Sequence, residues 1–405
     1  KLLILTQYFP PEVGAPQNRL YELAVRMQNL GFEVTVLTAM PNYPQMKIMK
    51  GYEGKKYLQE KMNGITVHRT SIYIPKSKSI IQRLLNYFSF VYTSWRFGRK
   101  LKKEYFDFLL CESPPLFLGI SGRLLSKKLK AKMIFNVSDL WPESAEKLGL
   151  VTNKFFLNLA TRLEEYLYKK SSLITGQTQG IVENISSRFP QKKVYWLKNG
   201  VDTNLFVRIN SDWRKENGFS ESDFILLYAG ILGHAQGLEV ILKAAEKLKE
   251  NPSLKFILLG SGPEKEKLIS LKDKLKLNNV FFFDVQPKEK MPAILSSVDA
   301  AIIPLRKLDL FLGAIPSKVF ENLAMEIPIL LGVDGEAKEL FIDKANAGLF
   351  FTPENENELA AGIQKLFSDP VLRKQLGANG RKYVNEEFNR DKIANDFYQL
   401  LMSCH

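Results

Sequence analysis

Apolar runs of strand length recur along the chain. LLILT (2–6), VTVLT (34–38), ITVHR (65–69), FDFLLC (106–111), KMIFNV (132–137), SLITG (172–176) and VYWL (194–197) alternate with amphipathic stretches of helical period. The alternation restarts with FILLYAG (224–230), KFILLG (255–260), VFFFD (280–284), AAIIP (300–304), PILL (328–331) and GLFF (348–351). A strand-helix repeat predicts a parallel sheet with helices on its faces. Two rounds of it predict two doubly wound α/β domains, joined by the polar stretch TNLFVRINSDWRKENGFSES (203–222). RDKIANDFYQLLMSC (390–404) has apolar residues at helical spacing and no strand after it. The expected organisation is a domain over 1–205, a second over 206–389, and a C-terminal helix over 390–405. Ligands of such sheets gather at the carboxyl ends of the strands, so the working site is expected in the cleft between the halves.

Composition adds little until charge is divided along the chain. With 405 residues, 45% hydrophobic and 25% charged, two ordinary soluble cores are expected. Cys111 and Cys404 are the only cysteines and build no disulfide framework, and KLLILTQYFPP enters a strand directly, so a reducing cytosol is the expected compartment. No apolar run is long enough to span a membrane. The formal charge of +14 is one-sided: residues 1–205 hold 31 Lys/Arg against 15 Asp/Glu, the remainder 26 against 28. Such a field attracts nucleic acid, anionic lipid or phosphorylated substrates. No nucleic-acid-binding motif accompanies it, so no nucleic acid partner is expected. Within the most basic part lies SIIQRLLNYFSFVYTSWRFGRK (79–100), with Ile80, Ile81, Leu84, Leu85, Phe88, Val91, Tyr92 and Trp95 on one stripe. It reads equally as a core-packing helix or as an interfacial helix pressed onto anionic lipid.

Three segments carry candidate chemistry. LGSGPEKEKL (259–268) and YAGILGHAQGLEVILKAAEKL (228–248) both run from a strand through glycines into a helix. Amides freed at such a turn can cradle a diphosphate, and a plain tight turn accounts for the pattern equally well. In GAIPSKVFENLAMEIPIL (313–330), Pro316 suits a first helical position, the N–H groups of Ser317, Lys318 and Val319 would face an anion, and Lys318 adds a charge. Glu321 shares the face of Lys318 and can accept both hydroxyls of a ribose; a surface Lys–Glu pair is the alternative. His68, His234 and His405 form no cluster along the chain and no Asp-x-Asp is present, so no metal is expected.

Taken in order, FPPEVGAPQNR, SDLWPES, KNGVD, YAGILGHAQGLE, GSGPE, PSKVFENLAMEIPIL and GLFF resemble the retaining glycosyltransferases of family 4, from residue 2 to about 390. They are similar to the branch that builds bacterial O-antigen and capsule repeat units, including N-acetyl-L-fucosaminyl transferases. The resemblance implies an α/β GT-B fold, two Rossmann-like doubly wound domains facing a cleft, with the acceptor on 1–205 and the nucleotide sugar on 206–389. It implies a metal-independent retaining hexosyltransferase without cofactor, moving an N-acetylated amino sugar from a UDP-sugar to a polyprenyl-diphosphate-linked saccharide. It would work in the cytoplasm, peripherally on the inner face of the cell membrane through 79–100.

By position Glu321 looks like the second acid of the family's Glu-x7-Glu motif, on the ribose. Arg306 and Lys318 are the candidates for the leaving diphosphate, and Asp139 and Glu143 lie where the family places a polar residue near the transferred sugar. Gly14 stands for the loop closing over the donor, Lys198 and Asn199 with Asp202 for the KNGVD segment, and Gly260 and Gly262 for the nucleobase. Gly230, Gly233, His234, Gln236, Ser317 and Val319 complete the donor set. The pattern departs at Gly313, which replaces the first acid, and at Ile231 and Gln236, which replace an Arg/Lys pair. Two other readings remain: a non-transferring GT-B enzyme such as a nucleotide-sugar 2-epimerase, and a noncatalytic membrane-associated binding protein.

Overall fold

The computed structural model describes every residue except Val13, Lys78, Leu148, Leu150, His405 and the side chain of Ala15, and among the described residues fourteen strands form two sheets. The first sheet contains β1 (Leu2–Leu5), β2 (Val34–Ala39), β3 (Tyr57–Met62), β4 (Ile65–Thr70), β5 (Phe108–Ser113), β6 (Lys132–Val137), β7 (Leu173–Gly176) and β8 (Val194–Trp196). Its order is β3-β4-β2-β1-β5-β6-β7-β8. All neighbours pair parallel except β3 and β4. The second contains β9 (Phe224–Ala229), β10 (Leu254–Leu259), β11 (Val280–Phe283), β12 (Ala300–Pro304), β13 (Ile329–Gly332) and β14 (Gly348–Phe350), all parallel, in the order β11-β10-β9-β12-β13-β14. The two bodies are Rossmann-like. Central strands such as LLIL and VTVLTA are buried from end to end, because helices cover both faces of a parallel sheet.

Each apolar run expected to be a strand is one; β3 was not expected. YLQEKM alternates exposed and half-buried positions at the sheet edge, so it has no apolar run to betray it. Its signature is the two-residue turn Asn63–Gly64, with φ of 47° and 82°, the left-handed pair that joins antiparallel strands.

The chain divides into residues 1–199 with 390–405, and 200–389. The boundary thus falls ahead of the expected 205, and the terminal helix Arg390–Met402 belongs to the first unit instead of standing apart. The reason is its apolar side. Ile393, Ala394, Phe397 and Leu401 join Phe32, Leu197 and the strand residues Leu2, Val34 and Phe108 in one core cluster. Phe32 meets Tyr398 edge-on at 5.4 Å, and Arg26 donates to Asp391 at 2.6 Å.

The helix Ile80–Gly98 starts at Ser79, whose side chain accepts the Gln82 N–H. It buries Asn86, Phe90, Val91, Ser94 and Gly98, and Trp95 packs on the same core as Phe90. The expected single stripe is therefore split: Val91 and Trp95 turn inward, while Ile81, Leu85, Phe88 and Tyr92 stay exposed at helical spacing. No helix among the described residues is long and apolar enough to cross a membrane.

Phe397 is fully buried against Tyr195. Replacing it by Ala is expected to cost about 3–5 kcal/mol, read as a lower denaturation midpoint of the first unit.

Candidate functional site

In the second unit the chain builds outward from β9 to β10 and β11, then returns to the other side of β9 with β12 and continues to β14. The order reverses between β9 and β12, the kind of switch point at which open parallel sheets bind their ligands. The glycine-rich segments singled out from the sequence leave the carboxyl ends of β9 and β10, and Arg306 follows β12.

Backbone lies on backbone at this edge. The N–H of Leu232 donates to the Ser261 carbonyl at 2.8 Å, and that of Glu264 to the Leu232 carbonyl at 3.0 Å. A Cβ on Gly260 would collide with the Gly230 carbonyl oxygen, and one on Gly262 with that of Leu232. Only glycine permits this contact. Arg306 ties the third loop in: its N–H donates to the Ala235 carbonyl at 3.0 Å and its Nε to that of His234 at 2.8 Å. Gly237, at φ 59°, lies under the Arg306 stem. Gly233, His234, Gly237, Glu239, Glu264 and Arg306 surround a small cavity. The His234 ring is exposed, and Gln236 folds back over Gly233. Glu239 is held below the usual carboxylate range, first by its hydrogen bond from Lys267.

The helix of the third segment is Lys318–Ala324, so it begins two residues after Pro316, with Ser317 at its N-cap. The Val319 N–H is not free for an anion, since it donates to the Pro316 carbonyl at 3.0 Å, and the Val319 side chain is core. Lys318 does not project from the helix end either. Its Nζ sits 3.7 Å from the centroid of the Tyr228 ring. It lies 2.8 Å from where a Cβ of Gly230 would stand. Burial pushes the ammonium down to about 7, against the opposing pull of Glu321. Glu321 is half-buried in the first turn of the same helix. Gly313 is exposed, and a Cβ there meets nothing within 4 Å, so packing does not exclude an acid at this position.

The remaining predicted residues fall elsewhere. Gly14, Asp139, Glu143, Lys198 and Asn199 belong to the first unit. Gly14 is the N-cap of the helix Ala15–Asn29, with no capping side chain, and Gln17 folds over it. Asp139 accepts the Ser144 hydroxyl. Glu143 is spent on a surface pair with Lys147 at 2.7 Å. Lys198 places Nζ 4.6 Å from the Trp196 ring centroid, Asn199 is buried, and Asp202 closes a turn on the N–H groups of Asn204 and Leu205.

Sequence reasoning missed a polar network beside Asp139. Arg19 donates to Glu112 at 2.7 Å and to Ser138 at 2.6 Å, and it also holds Gln177. Asn136 donates to Glu112 and accepts from Thr175 at 2.6 Å. These residues come from the first helix and the ends of β5, β6 and β7, and no spacing along the chain announces them. It also missed Glu12. Its buried carboxylate accepts the N–H groups of Phe9 at 3.0 Å and of Asn42 and Tyr43 at 2.8 Å, pinning the loop before Gly14. Burial raises its pKa against those hydrogen bonds. Among the described residues no group of three His, Cys, Asp or Glu is placed to hold a metal ion.

Residues 14–200 match the model of the glycosyl transferase 4-like domain, and residues 210–383 that of the glycosyl transferases group 1. The chain is 25% identical to a protein of Escherichia coli (strain K12) assigned by name to colanic acid biosynthesis as the glycosyl transferase WcaI, over 98% of each chain. In structure it is similar to a sucrose-phosphate synthase of Thermosynechococcus elongatus (TM-score 0.75, 17% identity, covering 100% of this chain and 98% of that one). It is likewise similar to HepE of Anabaena in complex with UDP (TM-score 0.72, 19% identity, covering 100% of both chains).

Two glycines give contrasting expectations. Gly260→Ala forces Cβ onto a backbone carbonyl and is expected to cost about 1–3 kcal/mol, whereas Gly313→Ala enters open space and stays within about 0.5 kcal/mol of the parent. Chemical denaturation of both variants checks the pair.

Proposed function

Because the chain belongs to the GT4-type glycosyltransferases of GT-B fold, involved in polysaccharide or glycoconjugate biosynthesis, we propose that it is a retaining, metal-independent hexosyltransferase. In this reading it takes an N-acetylated amino sugar from a UDP-sugar and passes it to a lipid-linked saccharide in O-antigen or capsule assembly.

The observation that carries the reading is the convergence at the β9–β12 crevice. The Gly230–Gly237 loop, Arg306 and Lys318 meet at the carboxyl ends of adjacent strands, with Glu321 in the first turn of the Lys318 helix. Departure of the sugar leaves negative charge on the diphosphate, and stabilising that charge is the largest single task of such a site. Arg306 and Lys318 are the cations for it, which makes a metal ion unnecessary to the reading. Glu321 takes the ribose hydroxyls, while Gly260 and Gly262 let the second loop pack on the first beside the nucleobase. UDP as the nucleotide is supported by HepE, solved with UDP and with UDP-glucose. Retention of the anomer rests on the family.

A lipid-linked acceptor is supported by the first unit. Its excess of Lys/Arg faces anionic lipid favourably, and Ile81, Leu85, Phe88 and Tyr92 offer an exposed apolar stripe on the helix Ile80–Gly98. Each basic residue near the surface adds about 1 kcal/mol.

The deciding assay offers a panel of UDP-sugars with a polyprenyl-diphosphate-linked acceptor, with and without chelator, and reads the anomer of the product. Turnover of donor without acceptor consumption points to an epimerase instead. Glu321→Ala is expected to weaken UDP binding by about one to two decades, since a hydrogen bond to a charged group contributes about 1.5–3 kcal/mol; unchanged calorimetric affinity removes Glu321 from the site. Co-sedimentation with liposomes is expected to need anionic lipid, to fall at high salt, and to fall again when Ile81, Leu85 and Phe88 become Ser. Sedimentation indifferent to all three leaves the acceptor soluble.

A further inference from the structure

Resting on the donor site proposed above, we propose that Tyr228 is a positioning residue that seats the Lys318 amine over Gly230, and that the donor diphosphate draws a proton from solvent onto that amine as it binds. The proton adds to the nitrogen lone pair. No bond to the donor forms or breaks.

Tyr228 lies one residue from the end of β9, at 1% exposure. Its hydroxyl donates to the Ile231 carbonyl at 2.6 Å, so the ring cannot turn without opening the glycine loop. On that ring sits Lys318 Nζ, 3.7 Å from the centroid. The same nitrogen lies 2.8 Å from the place of a Gly230 Cβ. Any side chain at 230 would displace it. Three features thus converge on one nitrogen: a fixed ring, a missing Cβ, and a helix start that supplies the lysine. The glycine loop brings no charge at Ile231 or Gln236, which leaves Arg306 and Lys318 to carry the positive charge here.

A ring face attracts a cation, but it replaces little of the lost hydration. The outcome is the depression of Lys318 to about 7, with burial as the main cause and Glu321, on the same helix, pulling the other way. From β9 the facing titratable group is Tyr228 itself, whose hydroxyl burial pushes up, so it stays neutral. Across the helix Pro370–Glu387, Arg381 is spent on the carbonyls of Phe206 and Ala324. A diphosphate beside the amine favours its charged form and raises its pKa above the free value. The sign follows: affinity is full below about pH 7 and declines as pH rises through the range between the free and bound values.

UDP serves as the probe, since its terminal phosphate is fully ionised above about pH 7.5. Calorimetry at pH 8 in two buffers of different ionisation enthalpy is expected to show uptake of nearly one proton, and Kd is expected to rise about five- to tenfold from about pH 7.5 to 8.5. Tyr228→Phe keeps the ring and is expected to keep the uptake. Tyr228→Leu removes the face that holds the amine, so the half-buried lysine side chain swings out to water and stays charged, and the uptake vanishes. Lys318→Met also abolishes it.

UDP binding to the native protein without proton uptake, or uptake that survives in Tyr228→Leu or Lys318→Met, overturns the proposal while leaving the donor site standing. Failure of the native protein to bind UDP at any pH overturns the donor reading and this proposal with it. If Tyr228→Leu does not fold, Tyr228→Phe and Lys318→Met decide: uptake kept in the first and lost in the second supports the seat, and any other pattern overturns it.

Discussion

Two contacts of backbone on backbone, Gly260 against the Gly230 carbonyl and Gly262 against that of Leu232, set the geometry on which the second unit's site depends. Carbonyl and N–H groups of the two loops then pair directly, through Leu232 to Ser261 and Glu264 to Leu232. A side chain at either glycine would force the loops apart, and with them the amides and the aromatic seat that the crevice presents. The parallel sheet places these loops side by side because β9 and β10 are neighbours running the same way. Arg306 then fastens the third loop to the first through two carbonyls.

Charge is placed at this edge at an energetic cost. Desolvating Lys318 opposes folding with the amine charged, and the protein meets that cost with an aromatic face and a carboxylate three residues along the same helix. A lysine free in solvent would spread its charge over many rotamers. The seated one is already where an anion at the loop would need it. A cost of this kind is tolerated because the surrounding core is extensive, with Val319, Phe320, Leu323 and Ala324 of that helix all buried.

The first unit solves a different problem, holding long loops at the carboxyl ends of its strands. Glu12 does this with three backbone N–H groups, and fully buried Arg69 with Glu60 and the Pro10 carbonyl. Arg19, Glu112, Asn136 and Ser138 knit the ends of β5 and β6 to the first helix. Buried polar groups are costly unless fully paired, and pairing of this density makes the loops rigid.

Much of this architecture was legible in the chain alone. Strands buried on both faces must be apolar throughout, so LLIL, VTVLTA and FILLYA announce themselves, and their alternation with helices dictates parallel sheets. Glycines at strand ends marked the loops, because only a residue without Cβ lets two backbones touch. What the sequence left open was decided by tertiary packing. β3 is an edge strand with no buried face to pattern it. The terminal helix joined the first unit because an apolar stripe shows that a partner is needed but not which one. Lys318 read as a charge at a helix start, yet its amine lies on a tyrosine ninety residues earlier in the chain. Hydrophobic period is a local property and survives in the sequence; which nitrogen meets which ring depends on strand order, and strand order exists only in the folded molecule.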